Sequence, residues 1–419
     1  MIPPLDSGAE IITIGDELLI GQVINTNQAF LAERLNAAGI DVARMTTVGD
    51  AMDPILRSFD EAWHRCRHVV VTGGLGPTHD DITKKAVTRF FETELVKDDG
   101  VRRHIEELLR RRNMPWTEAA EEQTLVPASA RLLPNPLGTA SGLLFEEDDR
   151  TFIVLPGVPY EMKAMVDQSV VPLLSRRPGK EAILHRTLRT AGISESALSQ
   201  LIGNVEEFLD GARLAFLPAP TGVRLRISAR ESTPEEAERK VAAIEGRIRA
   251  RAHQHIFGTG EEELEEALGK ILASKRLTIA VAESCTGGLV AHRITNVSGS
   301  SAYFDRGVVT YSDRSKSELL GVPPELIAKH GAVSREVAAA MAAGVRKVSG
   351  SGIGLSTTGI AGPTGGTAEK PVGLVWIGYA DQGAEFALQF RFGETRLLVK
   401  ERAAQAALEL VRRRVLGIE

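Results

Sequence analysis

At 419 residues, with 43% hydrophobic and 25% charged content, the chain has the makeup of a globular protein of two to four domains. Its formal charge of −5 and pI of about 6.1 exclude bulk electrostatic attraction to nucleic acid or an anionic membrane. Two cysteines, Cys66 and Cys285, fall in different presumptive domains, which predicts a reducing cytoplasm and no disulfide or zinc framework. The opening residues predict no secretion signal, and no apolar run reaches transmembrane length.

Residues 1–172 alternate strand and helix. Strands are expected at 10–14, 41–48, 68–72, 142–145 and 151–155, and helices at 27–38, 54–65, 81–91, 101–112 and from Tyr160. Proline and glycine mark 127–139 as a loop. This alternation predicts an α/β domain built on a doubly wound, mostly parallel sheet. The pattern breaks around 174–181, and residues 181–257 read as a small α+β module. Its order is strand 183–190, helix 194–209, strands 212–217 and 222–229 with a Pro218–Gly222 corner, and helix 234–252. A turn at Gly258-Thr259-Gly260 opens a second α/β domain over residues 260–419, ending in a basic helix at about 395–416.

The first chemical signal is Val69-Val70-Val71-Thr72-Gly73-Gly74-Leu75-Gly76-Pro77-Thr78-His79-Asp80-Asp81. A buried strand runs into a glycine loop, and Gly73, Gly74, Gly76 and Thr78 let backbone N–H groups approach an anion ahead of the next helix. Neither the P-loop nor the dinucleotide glycine pattern is met. Asp80 and Asp81 suit a hard cation such as Mg²⁺ bridging phosphate oxygens, with helix N-capping as the alternative role. Gly15-Asp16-Glu17 and Asn25-Thr26-Asn27 follow the first strand, and Pro156-Gly157-Val158-Pro159-Tyr160-Glu161 follows the last. Asp16, Glu17, Asp80, Asp81 and Glu161 are therefore expected to ring one phosphate-and-metal site, which Asn27 helps to line and which leaves room for a monovalent cation.

The second signal lies in the C-terminal third. The apolar run 277–282 halts at Glu283-Ser284-Cys285-Thr286-Gly287-Gly288, and an amphipathic helix follows. Hydroxyls and a thiol at a strand's carboxyl end sit where open α/β sheets bind ligands. The backbone of Thr286, Gly287 and Gly288 offers N–H groups to an oxyanion or phosphate, and an ordinary helix cap is the alternative. Tyr311, at the end of the next strand, and Lys316, one helical turn on, are placed to converge on the same pocket. A serine beside a lysine or tyrosine is a known arrangement for amide hydrolysis, since the amine or phenolate takes the hydroxyl proton. Cys285 is a rival nucleophile, but no histidine pairs with it in sequence; His292 lies on the following helix. Ser356-Thr357-Thr358-Gly359-Ile360-Ala361-Gly362-Pro363-Thr364-Gly365-Gly366 is a third strand-end loop dense in glycine and hydroxyls.

AESCTGG, VTYSDRSK and TTGIAGPTGG resemble the C-terminal domain of the CinA family, and GDELL, TGGLGPTHDD and LPGVPYEM resemble its molybdopterin-binding-type domain. The resemblance implies nicotinamide mononucleotide deamidation in the C-terminal domain. Ser284 would be the nucleophile, Tyr311 and Lys316 its activators, and Thr358 and Gly359 part of the nucleotide site. For the N-terminal domain it implies metal-assisted hydrolysis of ADP-ribose to AMP and ribose 5-phosphate, and for the whole a homodimer. The middle module would be KH-like, yet it lacks the Gly-x-x-Gly clamp on a basic surface, so a spacer or dimer element is expected instead of nucleic-acid binding. The family's terminal Gly-Asp-Arg is replaced here by Gly393-Glu394-Thr395-Arg396, which leaves Arg396, or Lys400 in its place, as the phosphate ligand. Two rival readings are an N-terminal domain that binds a nucleotide or pterin without catalysis, and a competence or DNA-damage adaptor. The acidic balance and 5% aromatic content argue against the adaptor.

Overall fold

The structure is a computed structural model that describes residues 6–76, 81–175, 182–393 and 395–418. It divides into two compact units, the first built on Met1–Leu184 with Arg230–Glu238 and the second on the remainder. No helix among the described residues is long and apolar enough to cross a membrane.

The first unit contains β1 (Asp6–Ile14), β2 (Val42–Val48), β3 (Cys66–Thr72), β4 (Leu95–Lys97), β5 (Leu125–Pro127), β6 (Arg131–Leu133), β7 (Gly142–Glu147) and β8 (Arg150–Leu155). Six of these form one sheet in the order β2-β1-β3-β8-β7-β6. The first four are mutually parallel, and β7 and β6 add an antiparallel edge. The central strands are apolar almost without interruption because both faces are covered. Ile11, Val70 and Ile153 pack under Leu31 and Leu35 of the Thr26–Ala37 helix and Met162 of the Pro159–Met165 helix. Ile12, Val69 and Val71 face Ile55 and Phe59 of the Met52–Arg65 helix and Val87 of the Thr83–Phe90 helix. Phe59 meets Phe152 edge to face, with centroids 5.0 Å apart. The expected loop at 127–139 instead contributes the last residue of β5 and all of β6. Three-residue strands are too short to show a period of two.

In the second unit, β9 (Ala182–Thr190), β10 (Arg213–Ala219), β11 (Gly222–Glu231) and β12 (Ile256–Thr259) form a sheet in the order β10-β11-β9-β12. The expected corner is a tight hairpin pairing Ala219 with Gly222. The helix expected over 194–209 is broken in two, Glu195–Ile202 and Glu206–Leu209, by Gly203 at φ 74°. The remaining strands are β13 (Ile279–Glu283), β14 (Phe304–Val309), β15 (Ile353–Gly359), β16 (Leu374–Ala380) and β17 (Glu385–Arg391), in the order β14-β13-β15-β16-β17. β13 lies between β14 and β15 and is parallel to both, while β16 and β17 run antiparallel. The helices Leu264–Lys275 and Arg396–Leu416 cover one face, and the Arg335–Ser349 helix lies on the other. Gly354 and Gly378 let that last helix come close. A methyl at either would sit 2.0 Å from the Ala342 carbonyl oxygen or 2.2 Å from that of Ala338.

Candidate functional site

The six-stranded and five-stranded sheets each have one point where successive connections leave to opposite sides, and each candidate site lies there. In the first unit this point is β1, flanked by β2 and β3. A cleft of about 560 Å³ opens at its carboxyl end. Gly15, Glu17, Asn27, Asp50, Gly73, Gly74, Gly76, Asp81, Gly157 and Glu161 all line it. Gly73 adopts φ 119°, and a side chain there would lie 2.2 Å from the Ile14 carbonyl oxygen, so only glycine lets the loop pass. Asn27 donates its amide to the Gly157 carbonyl at 2.7 Å, which fixes the side chain. Its Oδ1 is buried without a hydrogen-bond partner among the described residues, leaving an acceptor for a ligand donor.

Asp50 was not expected from sequence. It sits just past β2 in a Gly-Asp pair like the one that follows β1, and that repeated pair is the signal that would have found it. Asp16 donates its backbone N–H to the Asp50 carboxylate at 2.9 Å, and Asp50 returns the bond to the Asp16 carboxylate at 3.1 Å. Burial pushes the Asp50 carboxyl up, and the charges of Asp16, Glu17 and Asp81 add to that shift against the Asp16 N–H. The expected ring of acids is thus only partly assembled. Glu17, Asp81 and Glu161 reach the cleft, but Asp16 is turned to the Asp50 backbone. Glu161 is buried and accepts from Asn135 Nδ2 at 2.7 Å. Among the described residues no three such groups are arranged to hold a metal ion, and Thr78 and Asp80 lie outside those residues.

In the second unit the corresponding point is β13. Its last residues are pinned by main-chain bonds: Ser284 N–H donates to Thr357 O at 2.9 Å, and Thr310 N–H donates to Glu283 O at 2.8 Å. Ser284 leaves the sheet there, next to Lys316. Ser312 caps the Asp313–Leu320 helix, which turns the lysine back under the strand ends. Lys316 is 1% exposed. Its Nζ lies 3.0 Å from Thr310 O, 3.3 Å from Tyr311 O and 3.5 Å from Ser284 Oγ. Burial holds its amine below the ordinary lysine value, against the opposing pull of Asp313 and Cys285. A neutral amine has two N–H groups and one lone pair. The charged amine donates its third N–H to Ser284 Oγ, whereas in the neutral form, with the two carbonyls taking the N–H groups, the lone pair is left for the serine hydroxyl.

Tyr311 is placed differently from the expectation. The residue is 62% exposed, and its hydroxyl accepts from Arg396 Nη2 at 3.1 Å, not from Ser284. Arg396 also donates to Gly362 O at 2.9 Å, so it bridges the tyrosine to the glycine loop after β15. Lys400 Nζ comes to 3.5 Å from where a Gly287 side chain would begin. Arg396 and Lys400 therefore both reach this site, one turn apart on the same helix.

The expected anion cradle at Thr286, Gly287 and Gly288 is largely occupied by the protein itself. Glu283 carboxylate oxygens accept from the N–H groups of Gly288, Val290 and Ala291 at 2.9, 3.1 and 2.8 Å. Gly287 N–H donates to Ser284 O, and the hydroxyls of Thr286 and Thr357 bond to each other at 2.6 Å. Sequence reasoning assigned Glu283 no role, although an acid at the entry to a helix is the usual sign of one. Thr358 spends its hydroxyl on Ala332 O at 2.8 Å, and Gly359 is required by the close passage of Leu374 and Val375. Cys285 is buried with its thiol pushed up to about 12, which removes it as a nucleophile, and His292 bonds to Asn296 instead.

Fold and sites together define a multidomain α/β protein whose ligand-facing loops gather at the carboxyl ends of parallel strands. Residues 10–176 match a probable molybdopterin binding domain, 185–258 the damage-inducible protein CinA KH domain, and 261–415 the CinA C-terminal domain. A CinA-like protein of Salinibacter ruber is 47% identical over 407 residues, covering 97% of this chain and 98% of that protein. A putative competence-damage inducible protein of Caldicellulosiruptor bescii is 42% identical over 408 residues, with 97% and 99% covered. The crystal structure of competence/damage inducible protein CihA from Agrobacterium tumefaciens is 39% identical; the match covers 36% of this chain and 95% of that one, with a TM-score of 0.35. The chain belongs to the CinA family.

Proposed function

We propose that the C-terminal domain is an amidohydrolase acting on nicotinamide mononucleotide. The observation that carries this reading is the buried Lys316 amine beside Ser284. Neutral Lys316 accepts the Ser284 proton as Oγ bonds to the carboxamide carbon. Collapse of the tetrahedral adduct breaks the C–N bond, and the Lys316 proton leaves with the nitrogen as ammonia. Water then attacks the acyl-serine, giving up a proton to Lys316, and the C–O bond to Oγ breaks as Lys316 returns that proton to Oγ, releasing nicotinate mononucleotide and restoring the serine and the neutral amine. Arg396 and Lys400 are the cations for the 5′-phosphate, and Tyr311 closes over the ring through its bond to Arg396. Incubating the protein with nicotinamide mononucleotide tests the reading: ammonia and the acid should appear in equal amounts. No ammonia above a Ser284→Ala control would end it.

For the N-terminal cleft we propose hydrolysis of the diphosphate of ADP-ribose, supported by the glycine loops and the crowded acids. No three of the described acids are placed to hold a divalent cation, so the charge neutralisation this reading needs would arrive with the diphosphate itself. The partial assembly of that acid set also favours a second reading, in which the cleft binds a nucleotide or pterin without turning it over. Release of AMP from ADP-ribose with added Mg²⁺, abolished by chelation and by Asp81→Asn, selects the first. Binding without release selects the second.

A further inference from the structure

A second cleft, about 270 Å³, lies in the second unit away from Ser284, among β9, the β10–β11 hairpin, the start of the Leu264–Lys275 helix and the Arg396–Leu416 helix. Its lining includes Arg189, Arg224, Phe257, Glu261, Glu263 and Gln405. None of these belongs to either site described above.

Gln405 is the informative residue. It is 8% exposed, and its Oε1 accepts from Arg293 Nη2 at 2.8 Å. Arg293 is itself held by both oxygens of Glu265, at 3.2 and 2.5 Å. A guanidinium can only donate, so the amide orientation is settled and Nε2 must face the other way. Among the described residues Nε2 has no acceptor, and Gln405 lines the cleft. Gln405 is mostly buried and lines a polar cleft, so a donor left open on it favours an acceptor there.

The charges in the cleft add a second requirement. Arg189 is committed to Glu263, and Glu261 stands only at its margin, 4.0 Å away with a largely exposed carboxylate. Arg224 is in no ion pair among the described residues. The wall therefore offers one uncommitted cation, one weakly committed anion and a directed amide donor, with Phe257 as an apolar surface. We propose that this cleft binds a small zwitterion of the free α-amino-acid class. Its carboxylate meets Arg224 and Gln405 Nε2, its ammonium meets Glu261, and its side chain lies along Phe257. A simple anion would leave Glu261 repelling it, and a simple cation would leave Arg224 and the amide without acceptors.

Isothermal calorimetry on the full chain tests this with individual amino acids as probes, sodium phosphate as the anion-only control and putrescine as the cation-only control. At least one amino acid should bind and both controls should fail. Arg224→Ala and Glu261→Gln, both at the surface and expected to fold normally, should each weaken that binding at least tenfold. Gln405→Glu keeps the acceptor for Arg293 while replacing the donor, and it should abolish binding. Failure of every amino acid, binding of phosphate alone, or affinity unchanged in Arg224→Ala and Glu261→Gln would each overturn the proposal.

Discussion

Lys316 must be neutral to take a proton, and burial favours that form. The proposed deamidation should rise with pH through a value below the ordinary lysine range and then level off. Lys316→Arg, which cannot lose its proton, should cost roughly 10²–10⁴-fold in kcat, the usual span of general-base assistance. Stability carries the same signature. The folded state holds this proton more weakly than the unfolded chain, so stability increases with pH from the lowered folded value up to about 10.4. Urea unfolding of the native chain at pH 7 and pH 9.5, compared with Lys316→Met, should show the gain only where the lysine is present. Ser284→Ala should remove turnover while leaving stability nearly unchanged, because the hydroxyl donates to no main-chain group among the described residues; equal turnover would reject the assigned nucleophile.

At the scale of elements, the Leu289–Thr295 helix depends on one carboxylate for three of its first N–H groups. Glu283→Ala should therefore destabilise the chain by about 3 kcal/mol, since each such charge-assisted bond contributes on the order of 1.5–3 kcal/mol and the losses are not additive. Glu283→Gln should cost less, and denaturant midpoints distinguish the two. The Arg335–Ser349 helix offers a different test. Gly378→Ala places a methyl against a helical carbonyl with no flexible neighbour to yield, so a loss of roughly 1–3 kcal/mol is expected. The same elements show why sequence reading stopped where it did. Strands such as β3 and β13 were legible because burial on both faces writes an apolar run, whereas β15 was missed in part because its Ser356, Thr357 and Thr358 read as a loop. Ser284 and Lys316 were legible because each sits at a strand or helix end. The turn of Tyr311 toward Arg396 was not, since nothing in VTYSDRSK encodes a partner 85 residues away. The use of Gly288 N–H by Glu283 was likewise hidden, because a free and an occupied cradle read the same.

For the whole molecule, two sites at two separate sheets predict two separable chemistries. Asp81→Asn should abolish AMP release from ADP-ribose and leave ammonia release from nicotinamide mononucleotide intact, while Ser284→Ala should do the reverse. Loss of both activities in either variant would contradict the assignment. Domain order and the doubly wound character of the first unit were readable from alternating periodicity over many residues. The short strands β4 to β6 were not, because each rests on pairing between segments whose local sequence is unremarkable, and Asp50 was passed over although its Gly-Asp pair repeats the one after β1.

The hydroxyl of Ser284 is carried on a strand exit that the main chain itself locks to both neighbouring strands, whereas Arg396 and Lys400 arrive on a helix from the far end of the chain. In the proposed deamidation, bond-breaking and ligand choice therefore have different anchors. Replacements along the start of that helix should then retune which nucleotide is accepted without disturbing how the amide is cut, so that a change of preference would take very few substitutions.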